Sequence, residues 1–350
     1  GRRLFRERLL SRDRSIACVD CHQPKRAFTD GRPKAVGVYG RQGPRSVPTL
    51  VNLAWGDSFF WDGRMPTLEE QVVQPILAKS EMDLTLEEAV GRLGATRRYR
   101  KAFEKVFGQE PNAEDLARAL AAYIRSIMAG DSPYDRYLFG DRQALSEKEL
   151  AGLNVFRGEG NCAFCHTGPT FSDGEFHNTG VAWRDSEWLD DGRALVTDRE
   201  EDRGKFKTPT LREVARTAPY THDGSLATLE DVVEFYNDGG RKNPNLDSAM
   251  RPLKLTDDEK TALLAFLRSL TGRVSEGRWV SDLGASSIGL VAFAESLQVL
   301  HLGNRPPSWP SRHDRPSFDV SVTRRSSLNM PAQTRSERST EGSQRNANRR

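Results

Sequence analysis

Residues 18–22 read Cys-Val-Asp-Cys-His and residues 162–166 read Cys-Ala-Phe-Cys-His, and together they hold all four cysteines of the 350-residue chain. No cysteine is left over for a disulfide framework. In Cys-x-x-Cys-His, two thiols can add to the two vinyl groups of a haem, and the adjacent histidine then falls beneath the iron as its proximal ligand. A thioredoxin-like dithiol does not need that histidine, which here occurs twice. A four-cysteine zinc ribbon spaces its pairs by about 15–20 residues, whereas these motifs start 144 residues apart. The reading is two covalent c-type haems, one on Cys18, Cys21 and His22, the other on Cys162, Cys165 and His166. Such attachment normally takes place outside the cytoplasm, which predicts an exported, periplasmic protein.

Working outward from the two motifs, helix starts recur as capping boxes, in which a hydroxyl and an acid three residues later satisfy free amides. Thr85 with Glu88, Ser146 with Glu149, Thr228 with Asp231 and Thr256 with Glu259 each predict one. The last two helices are expected to stop at Gly239 and Gly272. Asn112 should cap a helix over Ala113 to Met128, where Leu116, Leu120, Tyr123, Ile124 and Ile127 form a buried stripe. Convincing alternating strands are absent, so the class is mainly α. The spacing of the motifs predicts two domains, 1–140 and 141–272. Residues 273–350 turn rich in Ser, Arg, Pro, Asn and Gln, which predicts a disordered C-terminal tail.

Hydrophobic content of 37% against 29% charged fits a globular chain with a polar excess. No run of about 18 apolar residues occurs, so no membrane-spanning segment is expected. The chain opens in GRRLFRERLL, already helix-like, which reads as a processed or truncated product without a visible signal peptide. The formal net charge of +3 misleads, because residues 312–350 carry nine Arg, no Lys and four acids. The rest of the chain has 43 basic against 45 acidic residues, so the charge gives no case for a nucleic-acid partner.

Beyond the haem motifs, the stretch from Ser46 to Met82 reads SVPTLVNLAWGDSFFWDGRMPTLEEQVVQPILAKSEM. Phe176 to Val181 reads FHNTGV, and Lys207 to Gly240 reads KTPTLREVARTAPYTHDGSLATLEDVVEFYNDGG. With both haem motifs in order, residues 1–272 resemble the bacterial di-haem cytochrome c peroxidase family, which includes the MauG-type di-haem oxidases. The resemblance implies two cytochrome-c-like haem domains packed around an inter-domain interface. It makes the His22 haem the peroxidatic one, with Glu81 as distal acid and Gln71 and Pro75 at the other distal positions. A carboxylate poised there could take a proton from peroxide and deliver it to the leaving oxygen. Read without the family, Glu81 is a solvated helix-capping acid, and Trp61 is a core aromatic. The family match makes Trp61 the electron relay between the haems. Hydrogen peroxide is then the oxidant, and a small cytochrome c or cupredoxin the electron donor.

The resemblance gives the His166 haem an electron-carrying role. Peroxidases place a methionine ligand in the helix after the HDG motif, but fourteen residues after His222 stands Tyr236, as in MauG-type proteins. A phenolate favours oxidised iron, where methionine raises the potential; the alternative is a buried core tyrosine. The family also binds calcium between its domains, for which the carbonyls of Thr217 and Pro219 match two ligands, while Ser46 replaces the matching asparagine. His177 and His222 are expected to make structural or haem-propionate contacts, and His301 and His313 to be idle. Two departures stand out. Gln23 to Val47 contains no histidine that could block the peroxidatic iron, and the surface tryptophan with which MauG-type proteins oxidise a protein substrate is Gly160 here. A protein-modifying oxidase and a passive di-haem electron carrier are the rival readings.

Overall fold

The computed structural model describes residues 1–277; the basic tail beyond, with His301 and His313, lies outside them. In chain order the α-helices are α1 (Cys18–Cys21), α2 (Leu68–Leu77), α3 (Leu86–Gly94), α4 (Arg97–Phe107), α5 (Ala113–Arg125), α6 (Pro133–Leu138), α7 (Glu147–Arg157), α8 (Ala194–Thr197), α9 (Leu229–Asn237) and α10 (Asp257–Ser269). The strands are β1 (Ile127–Gly130), β2 (Phe176–His177), β3 (Trp183–Arg184), β4 (Glu187–Trp188), β5 (Phe206–Lys207) and β6 (Arg273–Glu276). They form three two-stranded antiparallel pairs, β1–β6, β2–β5 and β3–β4. The architecture is mainly helical, as the sequence predicts.

All four expected capping boxes start helices, at α3, α7, α9 and α10. The Asn112 side chain accepts from the Asp115 amide at 2.9 Å and opens α5. That helix stops at Arg125, short of the expected Met128, because Ile127–Gly130 leave it to pair with β6. The expectation of helix so far along was natural, since Ile127 is fully buried and keeps the spacing of the stripe. Likewise GRRLFRERLL forms two short 3₁₀ turns instead of one helix, burying Leu4, Phe5 and Leu10. α10 ends at Ser269, ahead of Gly272.

The described residues belong to one compact unit with two separate apolar cores. The first gathers Phe5, Phe28, Ile76, Leu93 and the α5 stripe. The second begins at Tyr134 and gathers Phe156, Phe171, Leu229 and Phe266. Thus α6 belongs with the second core, ahead of residue 140: Tyr134 packs there edge-on against Phe266, and Asp135 pairs with buried Arg212 at 2.7 Å. Helices α7 and α10 press together at Gly152, where a Cβ would lie 1.9 Å from the Ala262 carbonyl oxygen. Only glycine allows that approach.

The first residues of the expected disordered tail are in fact structured. Strand β6 pairs with β1 of the first core, and Glu276 accepts from Tyr123 at 2.6 Å, Arg6 at 3.0 Å and Arg2 at 3.1 Å. Nothing local in Arg273–Glu276 signals a strand; its partner lies some 146 residues earlier.

Candidate functional site

Each Cys-x-x-Cys-His motif closes a tight turn. The His22 amide donates to the Cys18 carbonyl at 2.8 Å, and the His166 amide to the Cys162 carbonyl at 2.9 Å. The side chains repeat the same device. His22 Nδ1 lies 2.9 Å from the Phe28 carbonyl and His166 Nδ1 2.9 Å from the Phe171 carbonyl. An acceptor at Nδ1 fixes the proton there and leaves Nε2 with a bare lone pair, the arrangement of a metal-ligating histidine. Burial pushes His22 down to about 4 and His166 below its ordinary value, so both imidazoles are neutral at pH 7. Burial also raises the thiols of Cys18, Cys21 and Cys162 to about 12. A reactive redox dithiol needs the opposite shift.

Both motifs open onto one cavity of about 1190 Å³, whose wall also carries Trp61, Gln71, Pro75, Glu81 and Tyr236. The structure therefore brings the expected haem-chemistry residues to one place, except Cys18, which is not on the cavity wall. An ordinary ligand pocket measures roughly 300–1,000 Å³, so this space suits more than one large group. A mostly apolar void with two neutral, pre-oriented imidazoles and two cysteine pairs fits two covalent haems.

On the His22 side, Thr67 caps α2 and Pro75 sits inside it. Proline has no amide proton, so the Gln71 carbonyl loses its helical partner, and Gln71 and Pro75 share one face a turn apart. After α2 the chain turns back and Glu81 lines the cavity. Its carboxylate has no hydrogen-bond partner among the described residues; burial raises its pKa, and Arg64 pulls it back in part. This is not the solvated capping acid that the residue alone suggests. The 23–47 loop holds its backbone: the Val38 amide donates to the Glu81 carbonyl at 2.8 Å, and Arg41 bonds the Lys79 carbonyl at 2.9 Å and Asp83 at 2.8 Å. Gly37 makes that contact possible, since a Cβ there would lie 2.2 Å from the Ser80 carbonyl.

Trp61 donates its indole N–H to the Ser46 carbonyl at 3.0 Å and accepts at its own carbonyl from the Lys207 amide at 2.8 Å. The Ser46 hydroxyl donates to the Thr221 carbonyl at 2.7 Å. Thr217 and Pro219 line the same cavity. Tyr236, on α9, is half-buried and lines the cavity, and desolvation together with the Cys165 and Cys162 thiols raises its pKa. Its hydroxyl has no protein partner among the described residues, as an oxygen kept for a cation would not. His177 is held between Asp247, 2.7 Å from Nδ1, and Asp173, 3.0 Å from Nε2. The Cys165 thiol and these carboxylates push it up to about 10. His222 is driven down to about 4 by burial and stacks on Phe206 at 3.6 Å.

The sequence reading missed Arg45, Asp62 and Asp190. Arg45 binds Asp190 through two hydrogen bonds of 2.7 and 2.8 Å and Asp62 through one of 2.6 Å, all on the cavity wall. Arg45 and Asp62 flank Ser46 and Trp61 in sequence and so carry a local signal; Asp190 carries none.

A family model described as di-haem cytochrome c peroxidase matches residues 1–143. The methylamine utilization protein MauG of Methylorubrum extorquens is 38% identical over 272 residues, covering 77% of this chain and 76% of that protein. The cytochrome c551 peroxidase of Nitrosomonas europaea is 37% identical over 275 residues, covering 78% and 79%. Among solved structures, a MauG-like protein associated with microbial copper homeostasis superimposes with a TM-score of 0.72 at 34% identity, over 78% of this chain and 88% of that one. The diheme peroxidase BthA of Burkholderia thailandensis gives 0.69 at 26% identity, over 78% and 85%. Conserved architecture, paired haem motifs and this breadth of likeness place the chain in the di-haem cytochrome c peroxidase and MauG family, whose members carry two covalent haem c groups.

Proposed function

We propose that this protein is a di-haem peroxidase that reduces hydrogen peroxide at the His22 haem, drawing electrons through the His166 haem from a small redox protein, a cytochrome c or a cupredoxin. The observation that carries the reading is Glu81, a half-buried carboxyl on the wall of the same cavity as His22, without a hydrogen-bond partner among the described residues. A haem held by His22 would supply the electrons that break the O–O bond. Glu81 takes the proton from one peroxide oxygen and hands it to the other, which leaves as water. One peroxide, two electrons and two protons give two waters, so two one-electron donors are oxidised per turnover. Gln71 and Pro75 line the same wall as Glu81. Trp61 carries electrons between the halves, and Tyr236 and His166 would together hold the second haem iron. The two apolar cores serve as two haem lobes, and covalent haem attachment puts the protein in the periplasm. No helix among the described residues is long and apolar enough to cross a membrane.

Calcium has a reduced set of donors. It takes six to eight oxygens, while the matching residues here offer the Ser46 hydroxyl, which donates its proton to Thr221 and keeps its lone pairs, and the Thr217 and Pro219 carbonyls. An ion there would be held mostly by water, and a chelator should strip it readily. The protein-modifying alternative is disfavoured at its usual exit, because any Cβ at Gly160 would meet the Val155 carbonyl at 2.8 Å.

The test is stopped-flow mixing of the as-isolated diferric protein with peroxide. With no histidine between Gln23 and Val47, a fast spectral change is expected without prior reduction. A protein inert until one haem is reduced would refute the MauG-like ligation. A resting spectrum with both irons low-spin would point instead to a passive carrier.

A further inference from the structure

We infer that Arg45 is a positioning residue for electron transfer through Trp61, acting as a clamp that joins the two halves of the chain at the tryptophan. This rests on the relay role proposed for Trp61. The Trp61 indole donates to the carbonyl of Ser46, the residue after Arg45, and Asp62 is the residue after Trp61. The Arg45–Asp62 ion pair of 2.6 Å thus locks together the two peptides that the indole bond joins. From the second half, Asp190 takes the other edge of the guanidinium at 2.7 and 2.8 Å. Planar, bidentate recognition of this kind needs arginine, because a lysine ammonium cannot present two parallel N–H groups.

The cluster is built for position more than for stability. Arg45 is 11% exposed, Asp62 4% and Asp190 16%. Burying three charges costs about as much as their attraction returns, so such a set earns its place chiefly by fixing geometry. Both carboxylates have further donors. Asp62 also accepts from Arg64 at 3.0 and 3.1 Å, and Asp190 from the Gly192 amide at 2.9 Å. Arg193, three residues after Asp190, donates to the Asp62 and Gly63 carbonyls at 2.8 and 3.0 Å. The Lys207 amide on the Trp61 carbonyl closes the ring from the same half. Arg45 also lies over Phe206 at 5.4 Å, and Phe206 stacks on His222, whose carbonyl accepts from the Ser46 amide at 2.7 Å. Trp61 is therefore gripped at its indole, at its carbonyl and through its neighbour.

The experiment is a double-mutant cycle on the haem-loaded protein with Arg45→Lys and Trp61→Phe, read as steady-state donor oxidation and as the single-turnover reaction with peroxide. Misplacing a group by about 1 Å can cost up to 10²-fold. Arg45→Lys should lower donor-driven kcat by about tenfold or more on that scale, leave the single-turnover peroxide rate within twofold of wild type, and cost nothing further in the Trp61→Phe background. Exchange of the Lys207 amide, measured by hydrogen–deuterium exchange, should accelerate in Arg45→Lys. Equal losses in both backgrounds, or an unchanged kcat, would overturn the clamp while leaving the relay standing. If Trp61→Phe alone leaves kcat unchanged, the relay reading falls and the clamp with it. Should Arg45→Lys lose haem, Asp190→Asn carries the same cycle, since Arg45 then keeps Asp62 as partner and no buried charge is left alone. Additive losses for Asp190→Asn would overturn the proposal equally.

Discussion

At Glu81, desolvation raises the carboxyl pKa above its ordinary value of 4.5, with no hydrogen bond among the described residues to offset it, and two predictions follow from that sign. A base must be ionised to take a proton, so the diferric reaction with peroxide should slow as pH falls through a value above 4.5. Glu81→Gln should remove that acid limb and slow the reaction by about 10²–10⁴-fold, the usual worth of general acid–base help. Stopped-flow rates across pH check both; a mutant as fast as wild type would take Glu81 out of the mechanism. The same shift bears on stability. A carboxyl with a raised folded pKa contributes most below its unfolded pKa and loses that contribution as pH rises through the folded one. Glu81→Gln should therefore be the more stable protein at pH 7, with the gain vanishing at low pH, as thermal melts would show. At Tyr236 the expected change is spectroscopic. Tyr236→Phe should abolish the low-spin signal of the His166 haem, and Tyr236→Met should raise its potential. An EPR spectrum of Tyr236→Phe identical to wild type would leave the residue a core tyrosine.

Among the elements, the capping boxes were legible because their chemistry is local. A hydroxyl and an acid three residues apart satisfy each other's amides wherever they occur, so α3, α7, α9 and α10 could be placed from residues alone. The packing of α7 on α10 was not legible: Gly152 lies inside a helix with no turn signal, and only the tertiary contact explains it. Gly152→Ala would drive a methyl into the Ala262 carbonyl, and overpacking of this kind typically costs about 1–3 kcal/mol. A lowered melting temperature with normal haem attachment is expected. A melting temperature matching wild type would mean the two helices separate more easily than their contact implies.

For the molecule as a whole, strand β6 changes what a truncation should do. Residues 273–276 lie in the segment that composition marks as disordered, yet they pair with β1 and bring Glu276 to Tyr123, Arg6 and Arg2. Hydrogen bonds to a charged group are worth about 1.5–3 kcal/mol each at best, and less where exposed. A chain ending at Gly277 should therefore be more stable than one ending at Gly272, by roughly 1–3 kcal/mol on that scale. Denaturant melts of the two would decide it, and coincident curves would show that β6 adds nothing. Both should keep two haems through boiling in detergent.

By itself the sequence determined the haem chemistry and the family, because Cys-x-x-Cys-His is a covalent requirement written in consecutive residues and needs no fold to be read. It also determined the helical class, since capping and apolar spacing act within a few residues. Only the tertiary structure decided that both motifs share one cavity and that, among the described residues, the Glu81 carboxylate and the Tyr236 hydroxyl have no hydrogen-bond partner. Burial and the absence of a neighbour are properties of distant chain segments brought together. The grip of Arg45 on Asp190 belongs to the same class: an ion pair across 145 residues has no local signature, and its strength comes from the water that folding removes.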